Sequence, residues 1–250
     1  MLKVFTLFLL ILCLILTGCG ASKKKIGPPF AAPAAGQEKA ESSAIRRRII
    51  SLANREWEFF GRQVVVLEGG EESIPHVGMW EDDEETYSIR VNWYWRAVGK
   101  SELTGDNCRQ PWSAAFISWI MKNAGVSDYE FPRTDTHWVY LNRIANGGDR
   151  SHASFVPHSI GLYVPKPGDL ICATRGRRNP PPQGQTYEDG LSHHTKLHCD
   201  IVVSRQGETL EAIGGNVRNS VSKTILRLDK NGLLQPTPRR PWFLVLENRL

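Results

Sequence analysis

The 250-residue chain has no CxxC pair, no internal repeat and one long apolar run, residues 4–16. Without CxxC pairs a cysteine-built zinc site is not expected, and without repeats a solenoid or propeller is not either. The apolar run falls short of the roughly 20 residues that span a bilayer. Excess charge is also scarce where it would matter. The whole chain has 31 Lys+Arg against 26 Asp+Glu, but residues 44–250 hold 26 against 24. So nearly neutral a body argues against nucleic acid as a partner. What remains, 41% hydrophobic and 23% charged residues, is the composition of a globular protein.

The start of the chain reads as a targeting segment. Met1-Leu2-Lys3 precedes the apolar run, and Leu16-Thr17-Gly18-Cys19 follows it. That tetrapeptide resembles the lipobox of bacterial lipoproteins, in which cleavage before the Cys leaves acyl chains on that residue. The resemblance implies a signal peptide over 1–18 and a membrane anchor on Cys19. Several acyl chains would make the anchor effectively permanent, each buried methylene adding about 0.8 kcal/mol. Gly20 after the Cys points to the outer membrane of the cell envelope, with the protein facing the periplasm. Residues 19–43 are rich in Ala, Pro, Gly and Lys and read as a flexible tether, leaving 44–250 as one domain.

With Cys13 removed and Cys19 lipidated, Cys108, Cys172 and Cys199 remain in an exported, oxidising setting. Three is odd, so at least one thiol is free. Cys172 and Cys199 fall on runs expected to be neighbouring strands and form the candidate disulfide.

Apolar residues at spacings of three and four predict helices over 43–60, 87–98, 111–124 and 136–145. Beyond Pro167-Gly168 the period changes to two, with short strands over 169–174, 198–204, 209–213, 221–228 and 242–246. Helices followed by consecutive strands predict an α+β domain, its N-terminal helices packed on a C-terminal antiparallel sheet or half-barrel.

Two of these elements can carry chemistry together. In PWSAAFISW, Ser113 sits in the first turn of a helix, where unpaired amides and the positive end of the dipole favour an anionic nucleophile or an oxyanion. On a strand, His198 and Asp200 share one face while Cys199 and Ile201 take the other. If that face meets the helix start, Ser113, His198 and a third polar group make a nucleophile, a general base and an orienting partner.

These segments, in this order, resemble papain-like cell-wall peptidases of the NlpC type and of the cysteine, histidine-dependent amidohydrolase/peptidase (CHAP) class. PWSAAFISW is similar to their W-C-A-x-F-V helix start, KPGDLI to the strand that follows, HCDIVV to their H-x-x-I-V strand, and IGGNV to their E-G-N segment. Residues 45–246 are closer still to the bacterial family called domain of unknown function 2272. The resemblance implies a papain-like fold with Ser113 as nucleophile, His198 as base and Asn216 as the orienting group; Asp200 is the alternative for that last role. The chain departs from the pattern twice. Ser replaces the usual Cys, and Gly214 stands where those families have Glu. An alcohol must lose its proton during attack, whereas a thiol ionises beforehand, so the base and oxyanion site must be well placed.

Other groupings lead to weaker chemistry. His193, His194 and His198 with Asp200 lack recognisable ligand spacing, so neither metal nor cofactor is expected. Asp169 reads as a turn residue, and Cys108 precedes the helix that would have to present it. The long connection 175–197, with Arg175, Arg177 and Arg178, is either a lid or a solvated insertion. Trp112, Trp119 and Trp138 either stack on sugars or belong to the core. The expectation is an envelope lipoprotein that hydrolyses amide bonds in cell-wall peptides. The alternatives are an inactive copy that binds peptidoglycan or an envelope partner, and an esterase or acyltransferase.

Overall fold

The computed structural model describes residues 35–148, 150–175, 186–191 and 196–250. Cys19, the signal segment, His193 and His194 lie outside them. The first helix, α1 (Ala35–Phe59), begins inside the segment expected to be a tether. Residues 35–42 are mostly Ala, Gln, Glu and Lys, which are good helix formers whatever their periodicity. Then come β1 (Val64–Glu68), β2 (Glu71–His76), α2 (Glu85–Arg96), α3 (Ser113–Ala124) and α4 (His137–Ala145). The chain continues through β3 (Phe155–Ser159), β4 (Leu170–Thr174), the short α5 (Tyr187–Leu191) and β5 (Leu197–Gln206). It ends with β6 (Thr209–Val217), β7 (Ser220–Arg227) and β8 (Trp242–Asn248).

The strands form one eight-stranded sheet in the order β2-β1-β7-β6-β5-β4-β8-β3. The mixed α+β class agrees with expectation, but the sheet is neither wholly C-terminal nor wholly antiparallel. β1 and β2 come from between the first two helices, and β1 runs parallel to β7. β1 is the continuous run Val64-Val65-Val66-Leu67, whose alternation appears only in its burial. β3 carries Pro157 and His158 and sits at the edge of the sheet, where a Pro is tolerated.

Apolar residues on the two faces of the sheet enter two clusters. One joins Ile49, Leu52 and Ala53 of α1 and Phe116, Ile117, Ile120 and Met121 of α3 to Cys199, Ile201 and Ile213. The other holds Ile171, Val202, Ala212, Leu226 and Val245. Helix α3 can lie close on the sheet because Gly215 has no side chain. A Cβ there would come within 2.6 Å of both Phe116 and Trp112. The helix ends at Gly125 in the left-handed region, φ 93°, as a C-cap requires.

Cys172 and Cys199 are direct partners in the β4–β5 ladder, Cα atoms 4.2 Å apart, and are joined in a disulfide; Cys108 is free and exposed. The cross-link closes a loop with a sequence separation of 27 residues. A loop of that size restricts the unfolded chain enough to contribute about 3.5 kcal/mol. Unfolding in denaturant with and without reductant should show a loss of that order. A Cys172→Ala/Cys199→Ala variant as stable as the oxidised wild type would contradict it.

Candidate active site

Helix α3 starts at Ser113, two residues later than the Pro111 start expected, with Trp112 at the N-cap. The first intrahelical bond found here is Phe116 N–H to the Trp112 carbonyl, 2.9 Å. The amides of Ser113, Ala114 and Ala115 therefore have no acceptor within the helix. Trp112 is buried, stacked on Tyr94, and its indole N–H donates to Glu81. This wedge fixes the entry of the chain and aims Ser113 at the end of β5.

Ser113 is 2% exposed, and two imidazoles flank its hydroxyl. His198 Nδ1 and His137 Nε2 each lie 2.9 Å from Oγ. The far side of His198, Nε2, is 2.6 Å from Asp200 Oδ1. Arg240 Nη1 lies 3.4 Å from Asp200 Oδ2 and 3.1 Å from the Thr224 hydroxyl. The far side of His137, Nδ1, is 2.6 Å from the Tyr140 hydroxyl.

The partners assign the protons. Burial alone would raise the Asp200 carboxyl, but His198 and Arg240 outweigh it and hold the group below its usual range, so it is an anion. An anion can only accept, so His198 carries its proton on Nε2 and offers a lone pair at Nδ1. Burial, and then the Asp200 charge, push Tyr140 well above the usual phenol range, so it keeps its proton and donates to His137. Burial and the neighbouring His198 push His137 far below 6.5, leaving it neutral with its proton on Nε2. The chain of donors runs Tyr140 to His137 to Ser113 to His198 to Asp200. The Ser113 proton points at His198, and one Oγ lone pair is tied to His137.

Of the residues expected at the site, Ser113, His198 and Asp200 come together and Asn216 does not. Asn216 sits at φ 57°, and its Nδ2 donates to Glu81 Oε2 at 3.0 Å instead of reaching the imidazole. Asp200 fills that place, and Gly214 makes the room: a Cβ at 214 would stand 1.7 Å from Asp200 Oδ1. Asp169 is a turn anchor, accepting the Lys166 and Asn248 amides at 2.8 and 2.9 Å, and burial lifts its pKa to about 6. His137, Tyr140, Arg240 and Glu81 were not anticipated. The i, i+3 spacing of His137 and Tyr140 on a helix was the one available signal.

Two cavities flank the Ser113–His198 pair. One, about 230 Å³, is lined by Ser113, His137, Trp138, Arg175 and Lys196 among others. The second, about 340 Å³, lies on the His198 side with Arg175, Arg218 and Arg240. Trp138 thus faces the cleft, while Trp112 belongs to the core. Among the described residues no group of three or more His, Cys, Asp or Glu is arranged to hold a metal.

A family model described as an uncharacterized protein conserved in bacteria (DUF2272) matches residues 77–248. The chain belongs to this family. No curated protein and no solved structure matches it. Every member of the DUF2272 chain's donor network, from Glu81 to Arg240, falls within the matched segment.

Glu81 adds a titration beside the site. It is fully buried, Oε2 takes both the Trp112 and Asn216 donors, and among the described residues Oε1 has no partner. Burial raises its pKa from 4.5 to about 7, against those two bonds and with help from Asp82. A carboxyl with a raised folded-state pKa stabilises the fold fully below its unfolded value, and the effect is lost as pH rises through about 7. Glu81→Gln, which mimics the protonated acid, should match wild type in unfolding midpoint near pH 4.5 and exceed it at pH 8. A difference that does not change with pH would refute this.

Proposed function

We propose that this chain is a serine hydrolase of papain-like architecture that cleaves amide bonds in cell-wall peptides, held at the envelope by lipid on Cys19. The observation that carries the reading is the continuous hydrogen-bonded line Ser113–His198–Asp200 at the start of α3. In this mechanism His198 Nδ1 takes the hydroxyl proton as Oγ attacks the carbonyl carbon. The resulting imidazolium is stabilised by Asp200, which His198 itself, then Arg240 and Thr224, keep ionised. The oxyanion meets the amides at the helix start, which have no acceptor within the helix. His198 then protonates the leaving amine, and a water, activated by the same imidazole, releases the acid and restores Ser113.

His137 is a positioning residue in this scheme. By donating to Oγ it holds the rotamer that sends the Ser113 proton toward His198. Its neutral state matters, because a cation there would compete with the imidazolium that His198 must become. The lipid anchor rests on the Leu16-Thr17-Gly18-Cys19 pattern and the outer-membrane location on Gly20 after it.

A serine-directed fluorophosphonate should label the purified full chain, and Ser113→Ala should abolish the labelling. Asp200→Asn should lower the labelling rate about 10³- to 10⁴-fold, because the amide no longer fixes the His198 tautomer. Absence of labelling in wild type, together with unchanged cell-wall material after incubation, would replace the enzyme with a binding module.

A further inference from the structure

The charges lining the cleft are lopsided. Around the two cavities stand Arg175, Lys196, Arg218, Arg239 and Arg240, against the carboxylates of Glu72 and Asp135. The cationic excess there is larger than that of all residues 44–250, where 26 basic residues meet 24 acidic ones. Both carboxylates are already engaged: Glu72 accepts from Arg218 Nε at 2.6 Å, and Asp135 is held by Lys100. Arg240 is committed to Asp200 and Thr224, and Arg239 lies 3.8 Å from Glu71.

Arg175 and Lys196 differ from these. They are adjacent across the β4–β5 ends, with the Arg175 amide donating to the Lys196 carbonyl at 2.7 Å, and both line the cavity in front of Ser113. Among the described residues neither has a carboxylate partner. Partial burial of the Arg175 guanidinium and the charge of Arg240 both work against its ionised form and lower its pKa. An anion placed between these cations would relieve that repulsion. A guanidinium offers a carboxylate two parallel donors, and a neighbouring ammonium adds a third from a different direction.

We propose that the cleft selects acyl substrates bearing a free carboxylate, an acidic peptide being the natural form, with the carboxylate seated on Arg175 and Lys196 while the scissile carbonyl faces Ser113. This substrate class rests on the hydrolase reading, but the site that recognises the anion is separable from the chemistry. The cations sit at the cavity wall, where water and salt reach them, so recognition weakens as ionic strength rises.

The test uses two ligands of the same shape, the mono-4-nitroanilide of adipic acid and the carboxamide made from its free acid. Their binding to Ser113→Ala protein is measured by calorimetry at low salt, which requires no turnover. The acid should bind about tenfold more tightly than the carboxamide, the effect of one well-placed charge-assisted contact. In Arg175→Gln/Lys196→Gln on the same background the ratio should fall to about one. Equal binding of the two ligands, binding of neither, or a preference that survives the double substitution overturns the proposal. Fluorophosphonate labelling of Ser113 in the otherwise wild-type chain is read in parallel. A carboxylate preference without labelling removes the hydrolase reading and keeps the anion site, and labelling without the preference does the reverse.

Discussion

The hydrogen bond between His198 and Asp200 decides how the rest of the site must be arranged. It is short, 2.6 Å, and buried, and its acceptor is an anion that cannot return a proton. Once Nε2–H is committed there, Nδ1 has only a lone pair. Ser113 must then donate to His198, His137 must donate to Ser113, and Tyr140 must donate to His137. A change in any one protonation state reverses or breaks the line. Buried polar groups this tightly coupled are costly unless every partner is present, and Arg240 with Thr224 completes the set at the far end.

The sheet supplies the geometry through positions that carry little or no side chain. Gly214 and Gly215 are consecutive on β6 and open opposite faces of it. At 214 the missing side chain admits the Asp200 carboxylate, and at 215 it admits the first turn of α3. The two glycines bring the helix of Ser113 and the carboxylate bonded to His198 to the same stretch of strand. Gly214 thus leaves the space that the Asp200 carboxylate takes, on the neighbouring strand and the same face as His198.

The elements with a clear period were legible in the sequence. The apolar stripe of α3 and the alternation of β5 each located one half of the site, and strand alternation alone put His198 beside Asp200. β1 was not legible, since four consecutive apolar residues have no period, and neither was the helical start at Ala35, where good helix formers resemble a linker. The partner of His198 was ambiguous for a different reason. Asn216 and Asp200 are both reasonable by type, and the left-handed backbone at Asn216 that turns it toward Glu81 is a property of the β6–β7 bend. The spacing of His137 and Tyr140 pairs those two residues but does not set them beside Ser113, and Arg240, in the segment before β8, has no pattern at all, so folding alone brings them to the site.

The disulfide between Cys172 and Cys199 ties β4 to β5 beside the His198–Asp200 pair. His198 lies inside the ring it closes, one residue before Cys199, and Asp200 lies one residue outside it. The imidazole and the carboxylate it meets therefore flank a covalently tied position, and β5 cannot slip along β4 there without breaking the S–S bond. Arg175 and Lys196 stand inside the same ring. One cross-link thus sets the position of the His198–Asp200 pair and of both cations along the β4–β5 ladder.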